Sequence, residues 1–438
     1  MNKFKLNGFL VYIILINIVF LVMRILPTDY SFFQGDLFST VIFILILGTM
    51  AYLFLAGKND YFILFWLSVH FACPMIRLPF TQIGSLGVLN GIFIPLMLLR
   101  TFNFKNKYFM IILAVLSLSI FHLSEVSLRI ILSRMFEILA PFVFFYFVIK
   151  KCKKPEFIIN GAIVIACLSI PLSIYQIIAQ PVGGVLVDWR GARIFGSLFW
   201  PNSYAIYLLA PILTTYMLLR HKFTKSRMLI FLLLVFVDIF TFSRVGLLSL
   251  MVGIIAFELL YAKGKHLLFK RTAIVFTLII ILFIYSYYSP ELNPRFTTSS
   301  LIERTGIWDS ILPFIEGNVV WGNGVGSYTL YQDQVVKSLS PHNYYLYIIF
   351  EIGVVGLSIV ILFLFFLIKD LTAKIKQKNL IKYSEIGLSL LCALLLASLA
   401  GSGFSQVSAL NAWVLLGCFL IYDEKSKKDN HEKKGDNE

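Results

Sequence analysis

The stretch Ser340-Pro341-His342-Asn343 has the residue types for proton transfer, and it opens an apolar run that ends near Lys369. Proline suits the first position of a helix, and Ser340 in front of it is a suitable N-cap. This pattern predicts that His342 lies in the first turn, where the helix dipole disfavours a charged imidazolium. A neutral imidazole can act as a general base. The alternative is that His342 only caps or packs.

The elements that must position these residues are membrane helices. Of the 438 residues 59% are hydrophobic and 14% are charged, and the mean hydropathy is +0.84. We therefore predict an all-α, polytopic integral membrane protein with about 14 transmembrane helices and a long extracytoplasmic loop containing short amphipathic helices. The predicted spans are residues 7–25, 38–56, 61–77, 84–99, 108–122, 128–149, 157–178, 203–219, 228–242, 244–262, 272–288, 343–368, 384–400 and 405–422.

The distribution of charge predicts the orientation of these spans. With the N-terminus inside, 28 of the 38 Lys and Arg residues fall in cytoplasmic segments, as the positive-inside rule requires. The net charge of +15 thus follows topology and does not indicate nucleic-acid binding. The predicted regions are N-terminal helices without a recognised motif (1–156), a catalytic membrane region (157–422) with extracytoplasmic loops at 179–202 and 289–342, and a disordered cytoplasmic tail (423–438).

The cations predicted to lie outside are nearly all arginines. A planar, bidentate guanidinium binds phosphate better than an ammonium does, so this bias suggests a phosphorylated or pyrophosphorylated partner. For Arg24, Arg77 and Arg129 we prefer the alternative that the side chain extends to the membrane interface or pairs with a carboxylate. The ten cations are Arg24, Arg77, Arg129, Arg134, Arg190, Arg193, Arg244, Arg295, Arg304 and Lys337.

Candidate phosphate ligands occur in both long outer loops and in one tight turn. Arg190 and Arg193 lie in the first loop, which runs through Pro201-Asn202 into a span, while Ser243-Arg244 forms a tight turn between two spans. In the second loop, residues 300–315 have the capping box and the helical period of a surface-lying amphipathic helix. Arg304 and Trp308 are four residues apart and share one face of that helix. Gly322-x-Gly324-x-Gly326 then predicts a flexible turn leading back towards His342.

Other chemistries find little support in the residue pattern. The outer carboxylates are scattered and the six histidines are far apart, so we predict no metal site and no cofactor. The glycine-rich turn has no strand and helix around it, which argues against dinucleotide binding.

The segment from about 190 to 360 resembles the O-antigen ligase and polymerase family. The resemblance depends on Arg193-x-x-Gly196 with Pro201-Asn202, on Ser243-Arg244-x-Gly246, and on the long loop with Arg304 and Trp308. It also includes His342-Asn343 followed after nine residues by Gly353-x-x-Gly356.

This resemblance implies an inverting glycosyltransferase that uses a polyprenyl-pyrophosphate-linked glycan outside the cytoplasm of a bacterium, in the cytoplasmic membrane. It implies His342 as the base and Arg193, Arg244 and Arg304 as pyrophosphate ligands, without deciding which two of the three touch phosphate. Arg190, Asn202, Trp308 and Asn343 are weaker substrate-binding candidates. The implied partners are the lipid-linked donor, a glycan acceptor and the bilayer, with a flippase and a chain-length regulator as further candidates.

Three other functions stay open. A ligase would use the same site with a lipid A core as the acceptor, and that core is found only in bacteria with an outer membrane. The Phe/Ile/Lys/Asn-rich composition suggests an AT-rich genome, which is common among low-GC Gram-positive bacteria. It therefore favours a polymerase that extends a capsule, exopolysaccharide or O-antigen-type chain. A transporter or flippase would show repeats and paired broken helices with polar residues at mid-membrane. A structural scaffold would not need the arginine bias.

Overall fold

The computed structural model describes residues 37–72, 85–121, 128–179, 201–261, 299–331, 341–375, 383–400 and 409–422, with the single positions Val11, Ile14, Leu15, Ile18, Ile194, Gly196 and Leu198. These ranges contain fifteen helices and no β-sheet. The helices are α1 (Leu37–Leu55), α2 (Asn59–Ala72), α3 (Ser85–Arg100), α4 (Lys107–Phe121), α5 (Leu128–Lys151), α6 (Pro155–Leu168), α7 (Ile170–Ala179), α8 (Pro201–His221), α9 (Lys225–Phe240), α10 (Arg244–Tyr261), α11 (Ser299–Gly317), α12 (Ser327–Tyr331), α13 (Tyr344–Ile375), α14 (Tyr383–Ala400) and α15 (Ala409–Tyr422).

The chain is a helical membrane protein, as its composition predicts. Five stretches in the described ranges are long and apolar enough to cross a bilayer: Ile130–Lys151, Pro155–Ile178, Pro201–His221, Arg244–Tyr261 and Tyr344–Ile375. Five further apolar helices are shorter. Helices α1 to α10 and α13 to α15 each overlap a predicted span, although the span at 157–178 is divided into α6 and α7 and α13 continues to Ile375, but a count of about 14 crossings is not shown. The predicted span at 7–25 is described at only four positions, and the predicted span at 272–288 and the tail 423–438 lie outside the described residues.

The helices that carry the candidate residues form one packed group. α10 packs along α14 and α8, and α14 also packs along α13. Glycines allow these close approaches: a Cβ on Gly253 of α10 would lie 2.6 Å from Leu213 of α8 and 3.2 Å from Ala393 of α14. Small residues at such contacts are typical of membrane helices, where close van der Waals packing replaces the hydrophobic effect.

Two ion-pair networks tie helix ends together. Lys107 Nζ lies 2.6 Å from Asp370 Oδ1, and the Tyr108 hydroxyl donates to Asp370 Oδ2 at 2.7 Å, which joins α4 to α13. Glu258 of α10 accepts from Arg220 Nε at 2.8 Å and from the Tyr216 hydroxyl at 2.6 Å, both on α8. Glu258 is buried, and its two partners avoid the cost of an isolated buried charge, whereas the Lys107–Asp370 pair is partly exposed.

Candidate active site

The histidine segment and α11 meet at one corner of the molecule. The indole Nε1 of Trp308 donates a hydrogen bond of 2.8 Å to the backbone carbonyl of Pro341. Below this contact, α11 and α13 share a small apolar core whose buried members are Ile307, Ile311, Ile315, Tyr328 and Phe350. Arg304 lies one turn before Trp308 on α11 and is half-buried. The predicted pairing of Arg304 and Trp308 on one face therefore brings both towards the chain that carries His342.

The helix begins later than the sequence predicts. Asn343 Oδ1 accepts from the backbone amides of Tyr345 at 3.0 Å and Leu346 at 3.2 Å, so Asn343 is the N-cap and Tyr344 is the first helical residue. The prediction that Pro341 opens the helix with His342 in its first turn is wrong, and Ser340 lies outside the described residues. An asparagine side chain satisfies the first free amides as well as serine does, and here it is the one in position.

His342 therefore sits just before the helix, and its backbone is strained. Its φ is +51°, a value that non-glycine residues seldom adopt and that costs about 1–3 kcal/mol. Such strain persists where the surroundings hold the residue in place, and here Pro341 is fixed by Trp308 while Asn343 is fixed by its capping bonds. The imidazole is half-buried. It still lies next to the positive end of the α13 dipole, but outside the helix.

α13 is interrupted at Gly353, and the glycine-rich turn fills the interruption. Gly353 has φ +68° and ψ −174°, which breaks the helical path. The amides of Asn323 and Gly324 donate to the carbonyls of Phe350 at 2.8 Å and Glu351 at 3.0 Å, while the Val354 amide donates to Val319 at 2.9 Å. The backbone groups freed by the break are thus satisfied by residues 319–324, as a membrane environment demands. We call this contact the glycine joint.

The backbones in the glycine joint are too close for side chains. A Cβ on Gly353 would lie 2.1 Å from the Val320 carbonyl oxygen, and a Cβ on Gly322 would lie 2.6 Å from Glu351. Asn323 adds a side-chain link, since its Nδ2 donates to Phe314 of α11 at 3.2 Å and to Phe350 of α13 at 3.3 Å. The Gly322-x-Gly324-x-Gly326 segment is therefore more than a turn, because it fixes α11 to the first half of α13.

Arg244 opens α10 at a second tightly packed position. The Ser243 hydroxyl accepts from the Gly246 amide at 3.1 Å and caps the helix, after Phe242 with φ +48°. A Cβ on Gly246 would lie 2.5 Å from Ala205 of α8, so the start of α10 lies against the start of α8, where Asn202 is half-buried. Arg244 is also half-buried. The predicted tight turn is present, and it brings Arg244 near the Pro201-Asn202 end of α8.

Arg190 and Arg193 lie outside the described residues, but positions directly after Arg193 are described. The Ile194 amide donates to the Phe240 carbonyl of α9 at 3.2 Å. Gly196 exchanges two hydrogen bonds with the Gln176 side chain, at 3.0 and 3.1 Å, and a Cβ there would meet the Tyr204 ring at 2.5 Å. The chain following Arg193 is thus held at the end of α9, four residues before Arg244.

Two residues of this region escaped the sequence analysis. Asn323 stands between two glycines in the sequence, and its hydrogen bonds to α11 and α13 depend on the interruption of α13 at Gly353. Glu351 is a carboxylate in an apolar run, eight residues after Asn343, and it is completely buried. An acidic residue inside a membrane run is itself a signal of function, and this one went unused.

No metal centre accompanies these residues in the part of the chain that the structure describes. Nowhere there do three His, Cys, Asp or Glu side chains lie close enough to hold an ion. His70 packs on Trp66 with ring centroids 4.9 Å apart, and its Nδ1 lies 3.2 Å from the Trp66 carbonyl oxygen.

Comparison with known proteins gives one finding on the family. Residues 229–361 match the family model described as O-antigen ligase. The matched segment runs from α9 to the second half of α13 and includes Arg244, Arg304, Trp308, His342 and Asn343. A search of curated proteins found no match.

Proposed function

Residues 229–361 belong to the O-antigen ligase family, and on that premise we propose that the chain is an inverting glycosyltransferase. It polymerises polyprenyl-pyrophosphate-linked oligosaccharide repeats into a surface polysaccharide on the extracytoplasmic face of a bacterial cytoplasmic membrane. The observation that carries this proposal is the Trp308–Pro341 hydrogen bond, because it brings a candidate base and a candidate phosphate ligand to one corner. The proposed topology has about 14 spans, with both termini in the cytoplasm.

The proposed reaction needs a base and positively charged ligands for the leaving group. His342 accepts the proton of an acceptor hydroxyl, and the oxygen attacks the anomeric carbon of the donor sugar. The bond from that carbon to the pyrophosphate oxygen breaks with inversion, and its electron pair leaves on the polyprenyl pyrophosphate. Arg244, Arg304 and Arg193 are the proposed ligands of this leaving group. A positioned base contributes about 10²–10⁴-fold, and stabilisation of the leaving charge contributes at least as much.

The length of α13 supports this placement of His342. After the break at Gly353, residues 354–375 of α13 form a helix of about 33 Å, close to the hydrocarbon thickness of about 30 Å. The segment before the break, which leads to His342, is then at one edge of the core. Such a position suits the head-group level at which the pyrophosphate of a lipid-linked donor lies.

A ligase is the second candidate, and the description of the matched family favours it. The two activities differ in the acceptor, which is a lipid A core for a ligase and a lipid-linked repeat for a polymerase. Incubating the purified protein with labelled donor and each acceptor in turn decides between them. The break in α13 is a feature that transporters share, but Arg244 and His342 lie at the starts of their helices, whereas transporter sites lie at mid-membrane.

We further propose that the reaction is independent of metal ions, because arginines take the place of a cation on the pyrophosphate. Transfer by the purified protein should then continue in EDTA at an unchanged rate. Loss of transfer in EDTA, with recovery on adding Mg²⁺ or Mn²⁺, would contradict this.

Substitution of His342 tests the proposed function directly. His342→Ala should abolish chain extension while leaving expression and donor binding intact, since it removes a proton acceptor and no phosphate ligand. The readouts are polymer length on a gel and accumulation of the lipid-linked repeat. His70→Ala is the matched control for loss of a histidine and should still make polymer. If His342→Ala makes full-length polymer, the histidine is structural and the proposed mechanism is wrong.

A further inference from the structure

A second polar cluster lies beside the first turns of α13, where α5 approaches that helix. Arg134 and Glu137, one turn apart on α5, form an ion pair through Nη1 and Oε2. The Arg134 guanidinium lies over the Tyr347 ring, 5.8 Å from its centroid, and interacts electrostatically with the buried Glu351. We call Arg134, Glu137, Tyr347 and Glu351 the α5 cluster. Its α5 members lie outside the segment that matches the family model.

The two α13 members of the cluster, Tyr347 and Glu351, have unused hydrogen-bonding capacity. Glu351 is fully buried beside the Tyr347 hydroxyl and the Gly326 backbone, but neither carboxylate oxygen makes a hydrogen bond of normal geometry within the described residues. The Tyr347 hydroxyl, which is also buried, interacts with Glu351 and likewise makes no hydrogen bond of normal geometry there. Burial raises the pKa of nearby Tyr328 to about 12, so its hydroxyl stays neutral. Buried polar groups without partners are costly, and a site that awaits a hydrogen-bonding ligand accounts for them.

The two α5 members of the cluster are partly exposed. The side chains of Arg134 and Glu137 retain 27% and 31% exposure. Both lie on a helix long and apolar enough to span the bilayer, where charged groups face a protein interior or a water-filled cavity and avoid lipid. The pair therefore leaves polar groups accessible on the side of α5 that faces the first turns of α13.

The substrates offer two kinds of group, a charged pyrophosphate and neutral sugar hydroxyls, and the charge of the α5 cluster favours the sugar. Within the described residues its one guanidinium, that of Arg134, is already paired with the carboxylate of Glu137, so the cluster has no free positive charge for a pyrophosphate. Arg244 and Arg304 lie on other helices, α10 and α11, and supply the positive side. Carboxylate and guanidinium groups beside a tyrosine ring offer acceptors, donors and an apolar face. That combination suits the hydroxyls and ring faces of a neutral sugar.

We propose that the α5 cluster binds the acceptor sugar and presents its hydroxyl to His342. The inference rests on the proposed glycosyltransferase function and adds the acceptor side of the same site. Tyr347 lies four residues after the N-cap Asn343, about 6 Å along the helix, and His342 directly precedes Asn343, so one sugar can reach both residues. Glu137 and Arg134 hold hydroxyl groups, while Glu351 sets the orientation of Arg134 and Tyr347.

Kinetics with separate donor and acceptor test this assignment. The donor is the lipid-linked repeat extracted from cells, and the acceptor is the same oligosaccharide released from its lipid by mild acid. Glu137→Gln keeps the shape and removes the charge, so the KM for the free oligosaccharide should rise roughly 10- to 100-fold, the loss expected for one charge-assisted hydrogen bond. The KM for the donor and inhibition by inorganic pyrophosphate should stay unchanged. Tyr347→Phe, which removes only a hydroxyl, should act in the same direction.

A distant ion pair supplies the control. Glu258→Gln weakens the Arg220–Glu258 pair between α8 and α10 and should lower the melting temperature without raising the KM for the oligosaccharide. If Glu137→Gln and Tyr347→Phe both leave that KM unchanged, or if they weaken inhibition by pyrophosphate instead, the α5 cluster is not an acceptor site. Absence of transfer by the wild-type protein would overturn the proposed function and this inference with it.

Discussion

At the scale of single residues, the kind of chemistry could be predicted but the local geometry could not. The sequence identifies His342 by its position between a polar loop and an apolar run. It offers two good N-caps, Ser340 and Asn343, and local propensity does not choose between them. The structure uses Asn343, and the hydrogen bond from Trp308 to Pro341 holds the preceding turn. That bond joins residues 33 positions apart, so no local sequence pattern predicts it.

The arginines give the prediction that belongs to this scale. Arg244→Lys and Arg304→Lys keep a positive charge but lose the planar fork that grips two phosphate oxygens. For a pyrophosphate ligand we expect a loss of about 2–4 kcal/mol of transition-state stabilisation, or roughly 30- to 1,000-fold in rate. The matched control is Arg227→Lys, because the Arg227 side chain donates to the backbone carbonyls of Leu218 and Lys222 and is no candidate phosphate ligand. Rates measured at saturating donor compare the three. Equal, mild losses in all of them would show that Arg244 and Arg304 do not bind pyrophosphate.

At the scale of elements, helix positions follow from the apolar runs, but the glycine joint does not. The sequence separates Gly322-x-Gly324-x-Gly326 from Gly353-x-x-Gly356 by a loop, and we interpreted the first as a turn and the second as a family motif. The structure makes them two sides of one contact, in which residues 319–324 bond to residues 350–355. Periodicity describes neighbours along one helix, so it carries no signal for a contact across thirty residues.

Substitution of two glycines tests the joint. Gly353→Ala places a methyl group against the Val320 carbonyl at a positive φ, and we expect a loss of roughly 2–4 kcal/mol in stability together with loss of transfer. Gly306→Ala is the control, because nothing lies within 4 Å of its Cβ in the interior of α11. Alanine there should stabilise the helix by about 0.5–1 kcal/mol and leave transfer intact. Thermal unfolding in detergent measures both. A Gly353→Ala protein as stable and active as wild type would mean that the backbones need not approach so closely.

At the scale of the whole molecule, composition correctly predicts a helical membrane protein but does not establish how often the chain crosses. A hydropathy run marks apolar residues, whereas a crossing needs about 20 residues of helix. α4 has 15 residues and α14 has 18, so apolar character and full crossing length are different properties. The arrangement that matters for function depends on contacts between distant segments, such as α5 with α13.

The prediction at this scale is the orientation of the chain in the membrane, and it follows from the distribution of Lys and Arg residues. Most cations lie in segments that alternate with the loops carrying Arg304 and His342, so these loops should face outside. In a cysteine-free parent, we expect that a membrane-impermeant maleimide labels Asn318→Cys in intact cells and labels Ser226→Cys only after permeabilisation. Both side chains are exposed, so a difference in labelling reports sidedness and not burial. Labelling of Ser226→Cys but not Asn318→Cys in intact cells would invert the topology. His342 would then face the cytoplasm, where an enzyme that uses exported lipid-linked glycans could not work.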